Sequence, residues 1–144
     1  MEIIELDGVQ LKFSKLTTGD EDAFKEWLRQ SLIQDAKRNA DDLELVGKDR
    51  TDYLVSFTSS IAGRCNLVSP FGLEHATQTV PGICKILSLA SRRHHPEPGI
   101  DDTTLRRLIL ERSDDLLRVL QNVMPVKIEK KATGGSKVIQ PGTP

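Results

Sequence analysis

An Asp-Gly pair lies between two short segments of alternating apolar residues, and it restricts the fold of the first part of this chain. Asp7-Gly8 favours a type I′ turn, because both central positions of that turn require a positive φ, and such turns join antiparallel strands. The sequence therefore predicts a β-hairpin over residues 1–16. A two-stranded hairpin is marginal in water on its own, so its apolar side is expected to pack on helices or on another subunit. The apolar residues that alternate are Ile4, Leu6, Val9, Leu11 and Phe13.

After the hairpin, apolar residues recur at intervals of three and four, which is typical of helices with one buried face. The predicted fold class is α+β and predominantly α-helical, with an N-terminal β-hairpin, about five helices and a flexible C-terminal tail. Thr18, three residues before Glu21, is expected to form a capping box at the first helix. Four helical segments are expected at Thr18 to about 40, about 49–62, 71–79 as a short candidate, and Ile83 to His95. Two more are expected to follow, one capped by Asp101 or Asp102 and the other capped by Ser113.

With 144 residues, the chain has the length of one domain, and 38% hydrophobic residues are enough for a core that needs no disulfide or metal. The predicted division is a single globular domain over 1–126, made of the hairpin at 1–16 and helices over 18–126, followed by a flexible basic tail over 127–144. The tail is rich in glycine, proline and lysine, a composition that cannot bury a core.

The formal net charge of −1 provides no overall field that would attract nucleic acid or an anionic membrane. Residues 1–52 carry 13 acidic and 8 basic side chains, whereas residues 127–144 carry 1 acidic and 4 basic ones. These two regions could attract each other or a partner, or could be ordinary solvated surfaces. No apolar run is long enough to span a membrane, and the acidic start predicts no export signal, so a cytoplasmic protein with reduced thiols is expected.

Three histidines and two cysteines are the candidates for catalysis or metal binding. His94 and His95 are adjacent, and adjacent side chains on a helix point about 100° apart, so both cannot easily bind one ion. His75 could pair with Cys65 or Cys84, but nothing in the sequence brings them together. No phosphate-binding loop, nucleophile motif or paired Cys/His spacing is present. The sequence therefore predicts no metal, no cofactor and no enzyme, with a small metal- or thiol-dependent enzyme kept as an alternative.

The basic run that begins at Arg92-Arg93 has two interpretations. It could bind phosphate or nucleic acid, but four consecutive side chains do not share one helix face. It could instead complement the negative end of a helix dipole, which is the favoured interpretation.

Protein binding is the remaining hypothesis. The edges of the hairpin could accept a strand from a partner. The apolar stripes of the first and last helices could be core or could form a binding groove. The candidate partner-binding residues are Phe24, Trp27, Leu28, Leu32, Leu116 and Leu120.

Several segments occur in an order that is similar to a known family. Residues 9–17 (VQLKFSKLT) lead into Gly19-Asp-Glu and a helix that bears Trp27; 69–72 (SPFG), 86–96 (ILSLASRRHHP) and an acid-led helix from Asp101 follow. Over about residues 9–123, this order resembles the small tail assembly chaperones of long-tailed bacteriophages.

The resemblance implies a mostly helical, non-enzymatic protein that acts in the cytoplasm of a bacterial host. It implies binding to the tape-measure protein and recruitment of tail-tube subunits during tail morphogenesis, and it implies no catalytic residues. The alternative is a structural subunit of the phage tail or neck that stays in the virion, which the hairpin would also suit. Homo-oligomerisation is left open.

Overall fold

The computed structural model describes residues 1–125, and these form one hairpin followed by six helices. The α+β, predominantly helical class is confirmed, and the helices number six because the short candidate at 71–79 is a complete helix. The predicted tail at 127–144 lies outside the described residues. The elements are β1 Glu2–Leu6, β2 Val9–Phe13, α1 Thr18–Asp42, α2 Gly47–Ile61, α3 Pro70–Gln78, α4 Val80–Ser91, α5 Asp102–Glu111 and α6 Ser113–Val123.

The hairpin forms as its turn sequence predicts. β1 and β2 pair antiparallel with Leu6 opposite Val9. Asp7 and Gly8 have φ of 54° and 80°, the positive values that a type I′ turn needs. The apolar face of the hairpin is buried by helices of the same chain, with α4 against β2 and α6 against β1. No second subunit is therefore needed to cover it.

Helix α4 lies at the centre of the domain. It contacts α1, α3, α5 and β2, and its apolar residues are buried on most of its circumference. A helix that is apolar on nearly all sides is expected to be surrounded by other elements. Its buried apolar side chains are Ile83, Cys84, Ile86, Leu87, Leu89 and Ala90.

The helix starts differ from the prediction at two places. Thr17, rather than Thr18, is the N-cap of α1. The residue that completes the capping box, at position N3, is Asp20 rather than Glu21. Ser113 is the first residue of α6 and not its cap, and the preceding Arg112 makes no side-chain capping bond. Of the two predicted caps of α5, Asp101 and Asp102, the structure has Asp101, whose carboxylate accepts a hydrogen bond from the Thr104 backbone N–H at 2.9 Å.

Helix α4 also ends earlier than predicted, at Ser91 rather than at His95. The next four residues form a turn in which the N–H groups of His94 and His95 both donate to the Ser91 carbonyl. The partners of this turn differ between its two halves: Arg92 and Arg93 pair with Asp20, whereas His94 and His95 contact Ser14 and Lys12.

Candidate functional site

The six predicted partner-binding residues divide into two groups by burial. Trp27 and Leu32 are only partly buried and pack against the edge of the core, where the Trp27 ring lies 5.5 Å from the Phe24 ring. The other four, which lie in the core, are Phe24, Leu28, Leu116 and Leu120. A buried core side chain can contact a partner only after the protein rearranges. Of the six residues, Trp27 and Leu32 are therefore the two whose side chains are accessible to a partner. The partner-binding role of all six residues stays a prediction.

The second half of α1 and helix α2 form a helix pair, residues 33–61, which is called the α1–α2 arm here. Its buried residues on α1 are Ala36 and Ala40, small side chains that let α2 approach closely. Helix α2 packs chiefly on α1, and Ile61 is its only buried residue. The arm therefore presents apolar side chains that no third layer covers.

The arm carries exposed apolar side chains and a shallow groove. Val55 is 59% exposed, and Leu43 and Val46 in the connection are 63% and 76% exposed. The groove has a volume of about 310 Å³ and lies between the two helices. Its lining residues are Ile33, Lys37, Leu54, Val55, Thr58 and Ser59. Apolar surface in a groove between two helices is the form that accepts a third helix.

Asp20 is a buried carboxylate that holds the start of α1 to the turn after α4. Its Oδ2 accepts a hydrogen bond from the Thr17 N–H at 2.9 Å and another from Arg93 Nη1 at 3.2 Å. Arg92 Nη2 lies 2.5 Å from Oδ1 as an ion pair without hydrogen-bond geometry. Arg93 Nη2 also donates to the Lys15 carbonyl at 2.9 Å. The two arginines therefore bind a carboxylate of the same chain, that of Asp20. Neither the helix-dipole interpretation nor the phosphate interpretation of the basic run predicted this partner.

The charge state of Asp20 follows from two opposing effects. Burial raises the pKa of Asp20, but the Thr17 N–H and the Arg93 and Arg92 guanidinium groups outweigh burial and bring the pKa below its ordinary value. The carboxylate is therefore charged at neutral pH, and it stabilises the fold only while it is charged.

The hairpin edges are partly occupied by side chains of the same chain, whereas the sequence predicted edges that are open to a partner strand. On the outer edge of β1, Arg118 donates to the Ile3 carbonyl at 3.0 Å and Arg112 donates to the Glu5 carbonyl at 2.6 Å. On the outer edge of β2, the Lys12 N–H donates to Nε2 of a histidine in the turn after α4, His95, at 3.0 Å. These side chains occupy three of the backbone groups that a further strand would need, so a partner strand would have to displace them.

The remaining histidines and the cysteines are placed separately. His94 Nε2 lies 2.5 Å from the Ser14 hydroxyl, and the His75 ring packs 4.7 Å from the Phe71 ring. Cys65 and Cys84 are buried free thiols. Burial raises the pKa of both thiols, which lowers their thiolate fraction at neutral pH. Within residues 1–125, no group of three or more His, Cys, Asp or Glu side chains is arranged to hold a metal ion.

No family model, curated protein or solved structure matches this chain. Among the helices of residues 1–125, none is both long and apolar enough to cross a membrane. The function proposed next therefore draws on the geometry of the described residues and on the resemblance of residues 9–123.

Proposed function

We propose that this chain is a non-enzymatic tail assembly chaperone of a bacteriophage, which binds the tape-measure protein and recruits tail-tube subunits. The observation that carries the proposal is the α1–α2 arm, whose apolar groove has no covering layer among residues 1–125. The resemblance of residues 9–123 supplies the identity of the partners.

The arm suits a helical partner for physical reasons. A partner helix laid between α1 and α2 would remove Val55 and Leu54 from water and would complete a three-helix layer. Lys37 lines the same groove and could pair with an acidic side chain of the partner. Trp27 lies earlier on α1 and borders a separate groove against α4 and α5, so it would need a second contact with the partner.

The structural-subunit alternative loses one of its supports. It was motivated by open strand edges and by the predicted flexible tail, and Arg112, Arg118 and His95 occupy part of those edges. Quantitative mass spectrometry of lysate and of purified particles separates the two functions. Abundance in lysate with absence from particles supports the chaperone, whereas a fixed copy number in particles supports the structural subunit.

The enzyme alternative receives little support from the described residues. The two thiols are buried, and His94 and His95 contact hairpin groups rather than a shared ligand position. Elemental analysis of the purified protein and thiol titration test this alternative directly.

Val55→Asp in the arm should weaken capture of co-expressed tape-measure protein by about tenfold or more, because a charge would enter the apolar centre of the interface. Val55 is mostly exposed, so the free energy of unfolding should change by about 0.5 kcal/mol or less. The measurement is affinity capture with a tagged copy, together with thermal unfolding of the same variant.

Leu110→Asp is the matched control, because Leu110 is 83% exposed on α5 and lies outside the arm. It should capture the tape-measure protein as the unmodified chain does. Equal capture by both variants would mean that the arm is not the binding surface.

A further inference from the structure

The hydrogen bond between β2 and His95 has a chemical requirement that the other hairpin contacts lack. The donor is the Lys12 backbone N–H, so Nε2 of His95 must be the acceptor and must carry no proton. Arg112 and Arg118 contact β1 as donors to backbone carbonyls, so those bonds need no side chain that has lost a proton. The bond on β2 depends instead on a ring nitrogen that can take up a proton.

We propose that His95 is an acid-sensitive latch: the neutral imidazole holds the outer edge of β2 closed, and the protonated imidazole releases it. An imidazolium has N–H groups at both ring nitrogens, so it faces the Lys12 N–H donor to donor and the bond is lost. This latch is independent of the proposed chaperone function.

The charged groups around His95 come from several elements. Burial, together with the positive charges of His94 and Lys12, lowers the pKa of His95 below its ordinary value. Two grooves border its ring. Their charged side chains are Asp7 at the hairpin turn, Asp101 and Arg107 at α5, Lys85 and Arg92 at α4 and its end, and Glu97 in the following loop.

Among residues 1–125, the acids that border these grooves, Glu97 included, form no ion pair with the His95 ring. Asp7 is paired instead with Arg107 at 2.7 Å. Asp101 is engaged as the N-cap of α5. The imidazolium form of His95 would therefore gain little from its surroundings, in agreement with the lowered pKa.

Protonation should open the edge locally rather than unfold the hairpin. The Ser14 N–H donates to the Ala90 carbonyl at 2.8 Å and the Leu16 N–H to the Val123 carbonyl at 2.9 Å, and neither bond involves an ionisable group. Phe13 at the end of β2 is fully buried. The group that is released is the Lys12 N–H on the outer edge of β2, and His95 also borders a groove of about 450 Å³ between the hairpin and α5.

The sign of the pH dependence follows from the lowered pKa. The unfolded chain binds the His95 proton more readily than the folded chain does, so acid favours release. The latch is fully closed above the ordinary histidine value of 6.5, and it opens as the pH falls through the lower folded pKa.

Amide hydrogen exchange on the full chain tests the latch. The probe is the protection factor of the Lys12 amide at two pH values, one above and one below the measured titration midpoint of the His95 ring. A protection factor removes the intrinsic pH dependence of exchange. The protection factor of Lys12 should fall by roughly tenfold or more on acidification, while that of Leu11, whose partner in the ladder is Ile4, should stay nearly constant. Equal protection of Lys12 at both pH values would overturn the proposal.

His95→Gln and His75→Gln form the matched pair of variants. A glutamine carbonyl can accept the Lys12 N–H but does not titrate, so His95→Gln should remove the pH dependence. His75 packs on Phe71 away from the latch, so His75→Gln should keep it. An unchanged pH dependence in His95→Gln would also overturn the proposal.

A measurement on the unmodified chain covers the case in which His95→Gln does not fold. Two-bond nitrogen–proton correlation spectra should place the neutral-pH proton of His95 on Nδ1, and the Lys12 amide shift should titrate with the same midpoint as the ring. A proton on Nε2 at neutral pH, or a Lys12 amide that ignores the titration, would contradict the latch.

Discussion

Gly82→Ala should destabilise the protein by about 4 kcal/mol or more, a large part of the stability of a domain this size. A Cβ at position 82 would lie 1.7 Å from the His75 carbonyl oxygen and 2.7 Å from the Thr79 hydroxyl oxygen. The first of these atoms belongs to the backbone of α3, so it cannot rotate away as the end of a flexible side chain could. Helices α3 and α4 would have to separate.

The link between these two helices would break at the same time. The Thr79 hydroxyl donates to the His75 carbonyl at 2.7 Å and accepts from the Gly82 N–H at 3.1 Å. It therefore closes the end of α3 and caps the start of α4 with one side chain. Moving α4 outward would also uncover its buried face against the rest of the core. Unfolding in guanidinium measures the loss in free energy of unfolding, with Gly82→Ala and the unmodified chain at one protein concentration.

Gly19→Ala is the matched control, because the same atom is added to another helical glycine. The nearest atom to a Cβ there is the Thr17 hydroxyl oxygen at 3.7 Å, an ordinary contact. Alanine is the better helix former, so Gly19→Ala should stabilise the protein by about 0.5–1 kcal/mol. A Gly82→Ala protein within about 1 kcal/mol of the unmodified chain would show that α3 and α4 do not pack this closely.

Asp20→Ala should destabilise the protein by about 3 kcal/mol, because it removes a buried charge with several partners. The Thr17 N–H would lose its acceptor, and Arg92 and Arg93 would lose their anion. The arginine side chains are about half exposed, so water would solvate them once Asp20 is removed. The expected destabilisation is therefore at the low end for a broken buried ion pair.

Asp20→Asn separates the charge from the shape of the side chain. Its amide oxygen can still accept from the Thr17 N–H, so it should lose about half of what Asp20→Ala loses. Asp22→Asn is the control, because Asp22 lies in the same turn but is exposed, and it should change the free energy of unfolding by about 0.5 kcal/mol or less. Urea unfolding of the three variants near pH 7 measures this order.

The contribution of Asp20 should depend on pH with a definite sign. Because the folded pKa lies below the ordinary value of 3.8, the folded chain binds the proton less readily than the unfolded chain. The stability that Asp20 provides is present above about pH 4 and is lost as the pH falls through the folded pKa. The difference between the unmodified chain and Asp20→Asn should therefore shrink in acid. A difference that stays constant down to about pH 2 would mean that the charge is not the cause.

The candidate binding surface could be predicted only in part. The stripe of Tyr53, Leu54 and Phe57 on α2 has the same spacing as the stripes that form the core. The spacing indicates that these residues need a partner surface, and they are only half-buried because α2 has chiefly α1 beside it. An apolar stripe becomes core when the fold packs several helices or strands against it, and it forms a groove when only one helix does. The spacing of the stripe does not show how many elements will pack there.

The sequence by itself determined the local structure of this protein. Asp7-Gly8 sets the hairpin turn, and apolar spacing sets the helices, because φ preference and periodicity act over a few residues. Only the tertiary structure decided that Arg93 binds Asp20 and that His95 closes β2, since these partners are 73 and 83 residues apart. Each pair meets because α4 places its C-terminal turn beside the hairpin exit, and that packing is a property of the whole core.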